Sequence, residues 1–197
     1  MPFVAIDNNV VDLLLDSEWS EAHTDAMEVR EEPPPFEGID DPKLERELWA
    51  CFWLRALGTA WRGVLYTFSD LLYAEAAAAP RGQSLVEFAM QIRELHPEEA
   101  RTADVYRAPG PDAVMACGVR DRNDAEHVSD AIGIGCNIFL TNDRRLRNRS
   151  PEIEKRWALR LRRPSEFLIE AVRDDGAPWP VNARWPWEQL AAATDTT

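Results

Sequence analysis

Apolar positions along this chain switch between a short, strand-like clustering and a helical spacing, and the switches mark its elements. Residues 3–6, FVAI, form a β-rich apolar run, and Val10 to Leu15 follow with helical spacing, so Asp7 lies where a strand hands over to a helix. The arrangement recurs at 64–68, VLYTF, followed by Ser69 as a cap and by the helix formers DLLYAEAAAA, which Pro80 stops. Ile138 to Leu140 predicts a third strand, and Trp157 to Leu161 a fourth before Pro164. Asn123 is a suitable cap for a helix that starts at Asp124 and runs through His127, Ala131 and Ile132. Leu44, Leu48, Phe52, Ala56 and Ala60 recur every four residues and predict an amphipathic helix over 43–62. Strands alternating with helices argue an α/β fold around a mainly parallel sheet.

Two stretches are less regular. Residues 17–42 are acidic and contain PPP at 33–35, which reads as an exposed loop or insertion. The tail after Arg173, with WPVNARWPWEQL, is rich in Trp and Pro and reads as an ordered flap or a partner contact rather than a domain of its own. At 197 residues the chain fits one domain with extensions, and its 45% hydrophobic content supplies a normal core.

Composition narrows the class. No window approaches the roughly 18 to 20 apolar residues of a membrane span, and MPFVAIDNN lacks the features of a signal peptide, so a cytoplasmic protein is expected. Cys51, Cys117 and Cys136 are odd in number, widely spaced and set in apolar surroundings, which predicts buried, reduced thiols. A net charge of -13 argues against coating nucleic acid by bulk electrostatics. The charge is unevenly placed, however. Residues 12–50 carry thirteen Asp and Glu against three Lys and Arg, whereas residues 144–163 carry nine Lys and Arg against two Glu. A basic run of this kind fits a solvated helix face and strand flank as well as an anion site.

In parallel α/β sheets ligands bind beyond the carboxyl ends of the strands. Asp7 follows the first strand and Asp143 the third; Glu75 lies one to two turns into its helix, and Asp124 begins another. Spacing alone does not single these four out of the 35 acidic residues. Three motifs do so by resemblance: AIDNNVVDLLL at 5–15, SDLLYAEA at 69–76, and DAEHVSDAIGIGCNIFLTNDRRL at 124–146. With them the chain resembles the PIN-domain ribonucleases, the fold of many toxins of bacterial toxin-antitoxin pairs. The third motif is the most specific, joining an Asp-x-x-His helix, a Gly-x-x-x-Phe-Leu-Thr strand and the terminal Asp. The resemblance covers roughly residues 3–170, with RRPSEFL at 162–168 similar to the family's last strand-to-helix join.

The resemblance implies a three-layer α/β/α sandwich over residues 1–170, with 17–62 as an insertion and 171–197 as an extension. It makes Asp7, Glu75, Asp124 and Asp143 the catalytic metal ligands, with Asn9 and Thr141 in support. Departures from the family pattern are Asn8 where a small hydroxyl residue is common, Asp130 at a usually small or apolar position, and the long 17–62 stretch. Four converging acids would repel one another and raise some pKa values unless a cation joins them. Oxygen ligands suit Mg2+ or Mn2+, an ion that polarises a phosphodiester and acidifies water, giving hydrolysis without a Ser, Cys or His nucleophile. Arg144, Arg145, Arg147 and Arg149 would then bind the RNA backbone. The implied protein is a metal-dependent endoribonuclease, the toxin of a toxin-antitoxin pair, with an antitoxin as partner and a homodimer as its assembly.

Each residue also has a plainer role. Asp7 and Asp143 each suit a helix cap, Glu75 the solvent face of its helix, and His127 a hydrogen-bonded structural histidine, while Asp130 fits either a supporting group or a surface acid. A haloacid-dehalogenase-type phosphatase needs a second Asp two residues after the first, and position 9 is Asn. The other class is a PIN-like, non-catalytic binding or regulatory protein acting through contacts such as the Trp-rich tail.

Overall fold

Four short runs pair into one parallel sheet: β1 (Phe3–Ile6), β2 (Leu65–Thr67), β3 (Ile138–Leu140) and β4 (Arg160–Arg162), in the order β2-β1-β3-β4. The computed structural model describes residues 3–7, 9, 10, 13, 39–60, 65–67, 70–78 and 108–174. Its helices there are α1 (Pro42–Ala60), α2 (Asp70–Ala78), α3 (Pro111–Met115), α4 (Arg122–Ile134), α5 (Arg144–Arg147), α6 (Ser150–Trp157) and α7 (Pro164–Asp174). Asn9, Val10 and Leu13 are helical as well, as expected after Asp7. The class is mixed α/β. The chain divides into two compact units, Met1–Asp12 with Gly63–Arg162, and Leu13–Arg62 with Arg163–Thr197. The acidic stretch up to residue 38, Asn8, the Ser69 cap and the Trp-rich tail lie outside the described residues.

The first unit is built on the strand register. Ala5 pairs with Phe139, and Phe139 with Leu161, so these three side chains form one row across the sheet. They share a core with Ala125, Val128, Ala131 and Ile132 of α4, with Ile153 of α6, and with Val114, Val119 and Leu146. The spacing of the α4 residues gives one apolar stripe, which is why this helix lies on the sheet. Val4, Ile6, Ile138 and Leu140, which alternate with that row, are also buried. Strands buried on both faces explain why the sequence shows continuous apolar runs rather than alternation.

Helix termini depart from expectation in two places. The cap of α4 is Asp121, whose carboxylate accepts from the amides of Asn123 and Asp124, so the helix starts at Arg122 and Asn123 is its second residue. An aspartate two residues earlier reaches the same orphan N–H groups, and Asn123 itself is exposed. Trp157 closes α6 and is not in a strand: Ala158 adopts φ 59, which breaks the helix, and β4 begins only at Arg160. Pro151 in the first turn of α6 favours the helix start there. At its other end α4 stops in a left-handed Gly135, with the Cys136 amide donating to Ala131 and the Gly135 amide to Ile132. α3 had no counterpart in the sequence pattern; it opens at Gly110 (φ 82) and Pro111 and packs against α4.

In the second unit α1 packs against α7. Among the described side chains of α1, Glu47, Leu48, Trp49, Ala50, Cys51 and Leu54 are buried; of the expected four-residue stripe Leu48 is buried and Leu44 is exposed, and the side chains of Phe52, Ala56 and Ala60 lie outside those described. A carboxylate joins this face to α7: Glu47, 5% exposed, accepts from the Ser165 amide at 3.0 Å and from the Ser165 hydroxyl at 2.7 Å in the first turn of that helix. Arg163, just before Pro164, binds Glu166 at 2.9 Å and donates its amide to the same carboxylate, which ties down the start of α7. Cys51 and Cys136 are buried and all three cysteines are free, but Cys117 is only half-buried, so the expectation of buried thiols fails for Cys117. Burial raises the Cys51 and Cys136 thiols. Among the described residues no helix is long and apolar enough to cross a membrane.

Candidate active site

The sheet order places the chemistry. From β1 the chain continues to β2 on one side, whereas β3 on the other side continues to β4, so the direction of winding reverses between β1 and β3. A crevice opens beyond the carboxyl ends of the strands at such a point. Asp7 directly follows β1 and Thr141 directly follows β3, with the Asp7 amide donating to Leu140 at 2.9 Å.

Asp7 is buried, and a buried carboxylate needs donors. Its Oδ2 accepts from the Thr141 hydroxyl at 2.6 Å and from the Asn9 side-chain amide at 2.7 Å. The Thr141 Oγ1 in turn accepts from the Asp143 amide at 3.0 Å, and the Asn9 Oδ1 from the Asn142 amide at 2.9 Å. The supporting roles implied for Asn9 and Thr141 thus have a direct geometric counterpart. One network stitches the turn after β1 to the turn after β3. Asp143 caps α5, its Oδ1 accepting from the amides of Arg145 at 2.6 Å and Leu146 at 3.2 Å. The plainer role of Asp143 is therefore real, and it coexists with a place at the crevice.

α4 supplies the next acid. Asp124 stands in its first turn, half-buried, and its carboxyl is pushed up to about 6 from the usual 3.8, chiefly by burial and then by the negative charges of Asp121, Asp7 and Asp143, with His127 opposing. One turn on, His127 is buried and its Nε2 lies 2.8 Å from Glu75 Oε2 on α2, as expected of a hydrogen-bonded structural histidine. Glu75 reaches a histidine, so it is not simply the solvent face of its helix.

A cavity of about 570 Å³ adjoins these acids, lined by Gly118, Val119, Arg120, Asp121, Asp124, Asp143, Arg145, Leu146, Asn148 and Arg149. Asp124 and Asp143 open into it; Asp7 and Glu75 do not line it. Of the four arginines read as an RNA contact, Arg145 and Arg149 are in the wall, Arg144 is exposed elsewhere on the first turn of α5, and Arg147 is half-buried outside the cavity. Arg120 and Asp121 sit just before α4 and carry no periodic signal in the sequence; only a helix start at Arg122 rather than Asp124 points to them.

The donor set suits a hard divalent ion in kind, being all oxygen, and in charge, since Asp124 is raised by two of the other acids. Among the described residues no group of three or more His, Cys, Asp or Glu side chains stands ready to hold a metal ion. Asp7 is turned toward Thr141 and Asn9, Asp143 toward its helix cap, and Glu75 toward His127. Mg2+ commonly takes one or two carboxylates and keeps several waters, so a closed cage is not a condition of binding. No protein-family model, curated protein or solved structure matches this chain.

Proposed function

We propose that the chain is a metal-dependent ribonuclease with a PIN-like α/β/α architecture, hydrolysing RNA phosphodiester bonds with Mg2+ or Mn2+. The observation that supports it most is the meeting of Asp7, Asp124 and Asp143 at the reversal between β1 and β3, close enough that the first and last raise Asp124. Acids gathered at a strand edge cost stability, and a bound cation offsets that cost. In this reading Asp7, Asp124 and Asp143 would hold the ion, while Glu75, fixed by His127, adds negative charge at the edge. The ion, when bound, supplies a polarised phosphodiester and a more acidic water.

The chain's own residues prepare the rest. Thr141 and Asn9 hold the Oδ2 of the Asp7 carboxylate in one orientation through two short bonds. The Asp143 cap fixes the start of α5 and thereby the direction of Arg145. Asp124, its carboxyl pushed up to about 6 chiefly by burial, is the acid whose charge a bound cation would favour most. Arginines in the adjoining wall face the RNA backbone. A toxin role, with an antitoxin whose Arg or Lys faces the carboxylates and with the enzyme as a homodimer, belongs to the same reading.

The test is cleavage of a mixed panel of labelled RNAs by the full chain with Mn2+, with EDTA, and with Asp143→Asn protein. Asparagine keeps an oxygen for the α5 cap, so the variant isolates the charge. Cleavage that disappears in both controls supports the enzyme. Absence of cleavage together with absence of Mn2+ binding would overturn it in favour of a non-catalytic binding protein.

A further inference from the structure

In a chain of net charge -13, the three described arginines that line this cavity, Arg120, Arg145 and Arg149, stand without an ion pair. Elsewhere Arg122 binds Asp112 at 3.1 Å and Glu126 at 3.3 Å, and Arg163 binds Glu166 at 2.9 Å. Among the described residues Arg120, Arg145 and Arg149 form no ion pair, although Asp121, Asp124 and Asp143 line the same space. Two of those acids are engaged elsewhere, since Asp121 accepts from two amides of α4 and Asp143 from two of α5. Their oxygens are turned to helix N-termini, so these carboxylates make no direct bond to the three guanidinium groups, whose N–H donors stay open to the cavity.

The seat of Arg149 is built into the backbone. Gly118 adopts φ +90, and a β-carbon placed there would lie 3.3 Å from the Arg149 guanidinium carbon and nitrogens. A side chain at this position would be strained by the positive φ and would press on the guanidinium, so glycine suits the turn on both counts. Val119 and Leu146, both buried, line the same cavity and lower the local dielectric, which strengthens any anion contact. At about 570 Å³ the space is in the range of small-molecule sites and admits a single nucleotide. Guanidinium forks match the oxygens of a phosphate.

We infer that this cavity is a phosphate-binding subsite in which Arg120, Arg145 and Arg149 hold the phosphate of one nucleotide, Arg149 from its seat on Gly118. Its service as the place for the nucleotide next to the scissile bond rests on the ribonuclease reading; phosphate capture itself does not. The test is therefore made without metal or turnover. The full chain in EDTA at low salt is titrated with 5'-UMP, inorganic phosphate and uridine, followed by calorimetry. The expected order is 5'-UMP tightest, inorganic phosphate weaker and uridine undetectable. Arg149→Ala and Arg120→Ala should each weaken 5'-UMP by about ten-fold or more, the loss of a charged hydrogen bond. Arg149→Lys, which keeps the charge but not the fork, should fall between, and Lys155→Ala, the same charge loss on α6 outside the cavity, should bind as the parent does. The inference is overturned if uridine binds as well as 5'-UMP, if inorganic phosphate matches the nucleotide, or if Lys155→Ala loses as much as Arg149→Ala. Cleavage of RNA by a protein that fails this titration would remove the subsite and leave the enzyme standing; binding by a protein that cuts no RNA would do the reverse.

Discussion

Thr141→Val removes one hydroxyl from the centre of the site, and its cost is set by what that oxygen touches. Thr141 is fully buried; its Oγ1 donates to Asp7 at 2.6 Å and accepts from the Asp143 amide at 3.0 Å. The bond to a carboxylate is worth about 2 kcal/mol, and leaving the Asp143 amide without its acceptor adds about 1 kcal/mol. Asp7 keeps the Asn9 bond, which limits the damage. The sum, about 3 kcal/mol, corresponds to a melting temperature lowered by roughly 6–12 °C in a chain of this size. Urea denaturation and calorimetry of the full chain measure it. Thr141→Ser keeps the hydroxyl and gives up one methyl group, about 1 kcal/mol. A valine variant that unfolds at the parent's midpoint, or a serine variant as damaged as the valine one, would refute the role of the hydroxyl.

Two further outcomes are expected. Asp124 carries a folded-state pKa of about 6 against the usual 3.8, so folding takes up a proton between those values and its contribution to stability falls as pH rises through that window. Asp124→Asn should consequently melt higher than the parent at pH 7.5 in EDTA and lose that advantage at pH 4, while abolishing RNA cleavage; melting curves across pH measure the first and the labelled-RNA assay the second, and an advantage that grows on acidification would contradict the sign. Glu47→Ala strands the buried amide and hydroxyl of Ser165, at a cost of about 2–4 kcal/mol, whereas Glu47→Gln keeps an acceptor and should cost less. Urea midpoints of the two variants check the order, and equal midpoints would show that the carboxylate is not what joins α1 to α7.

What the sequence made legible was the sheet. β1 and β3 fall on the expected residues because strands buried on both faces are short uninterrupted apolar runs, Phe3–Ile6 and Ile138–Leu140, bounded by polar residues. Helix ends were harder, since Asp121 and Asn123 are both good caps and only the three-dimensional path selects between them. β4 was displaced because RLR has no apolar pattern of its own; Leu161 alone is buried there, and the pairing to β3 defines the strand. In α1 a charged residue lies in the buried face, and Glu47 could not be assigned to it before Ser165 was seen to be its partner. Within the site, the Asp7, Asn9 and Thr141 cluster follows from strand-end positions, but Arg120 came from a loop that no periodicity marks, and Arg144 and Arg147 fell outside the cavity because a single helical turn sends neighbouring residues in different directions.

The order β2-β1-β3-β4 also governs when this molecule can exist during its own synthesis. β1 leaves the ribosome first yet lies inside the sheet, and its neighbour β3 is made more than 130 residues later, the separation spanned by the bond from Thr141 to Asp7. Pairings so distant in sequence are slow to form. Until β3 emerges, β1 has only β2 to pair with, and its other apolar edge stays open, a state that calls for protection from aggregation. Asp7 acquires its hydroxyl donor only once residue 141 has cleared the exit tunnel, so no nascent fragment ending before it holds the completed carboxylate network. Truncation after β2 would yield a chain with every residue of the first turn and none of its donors from the second.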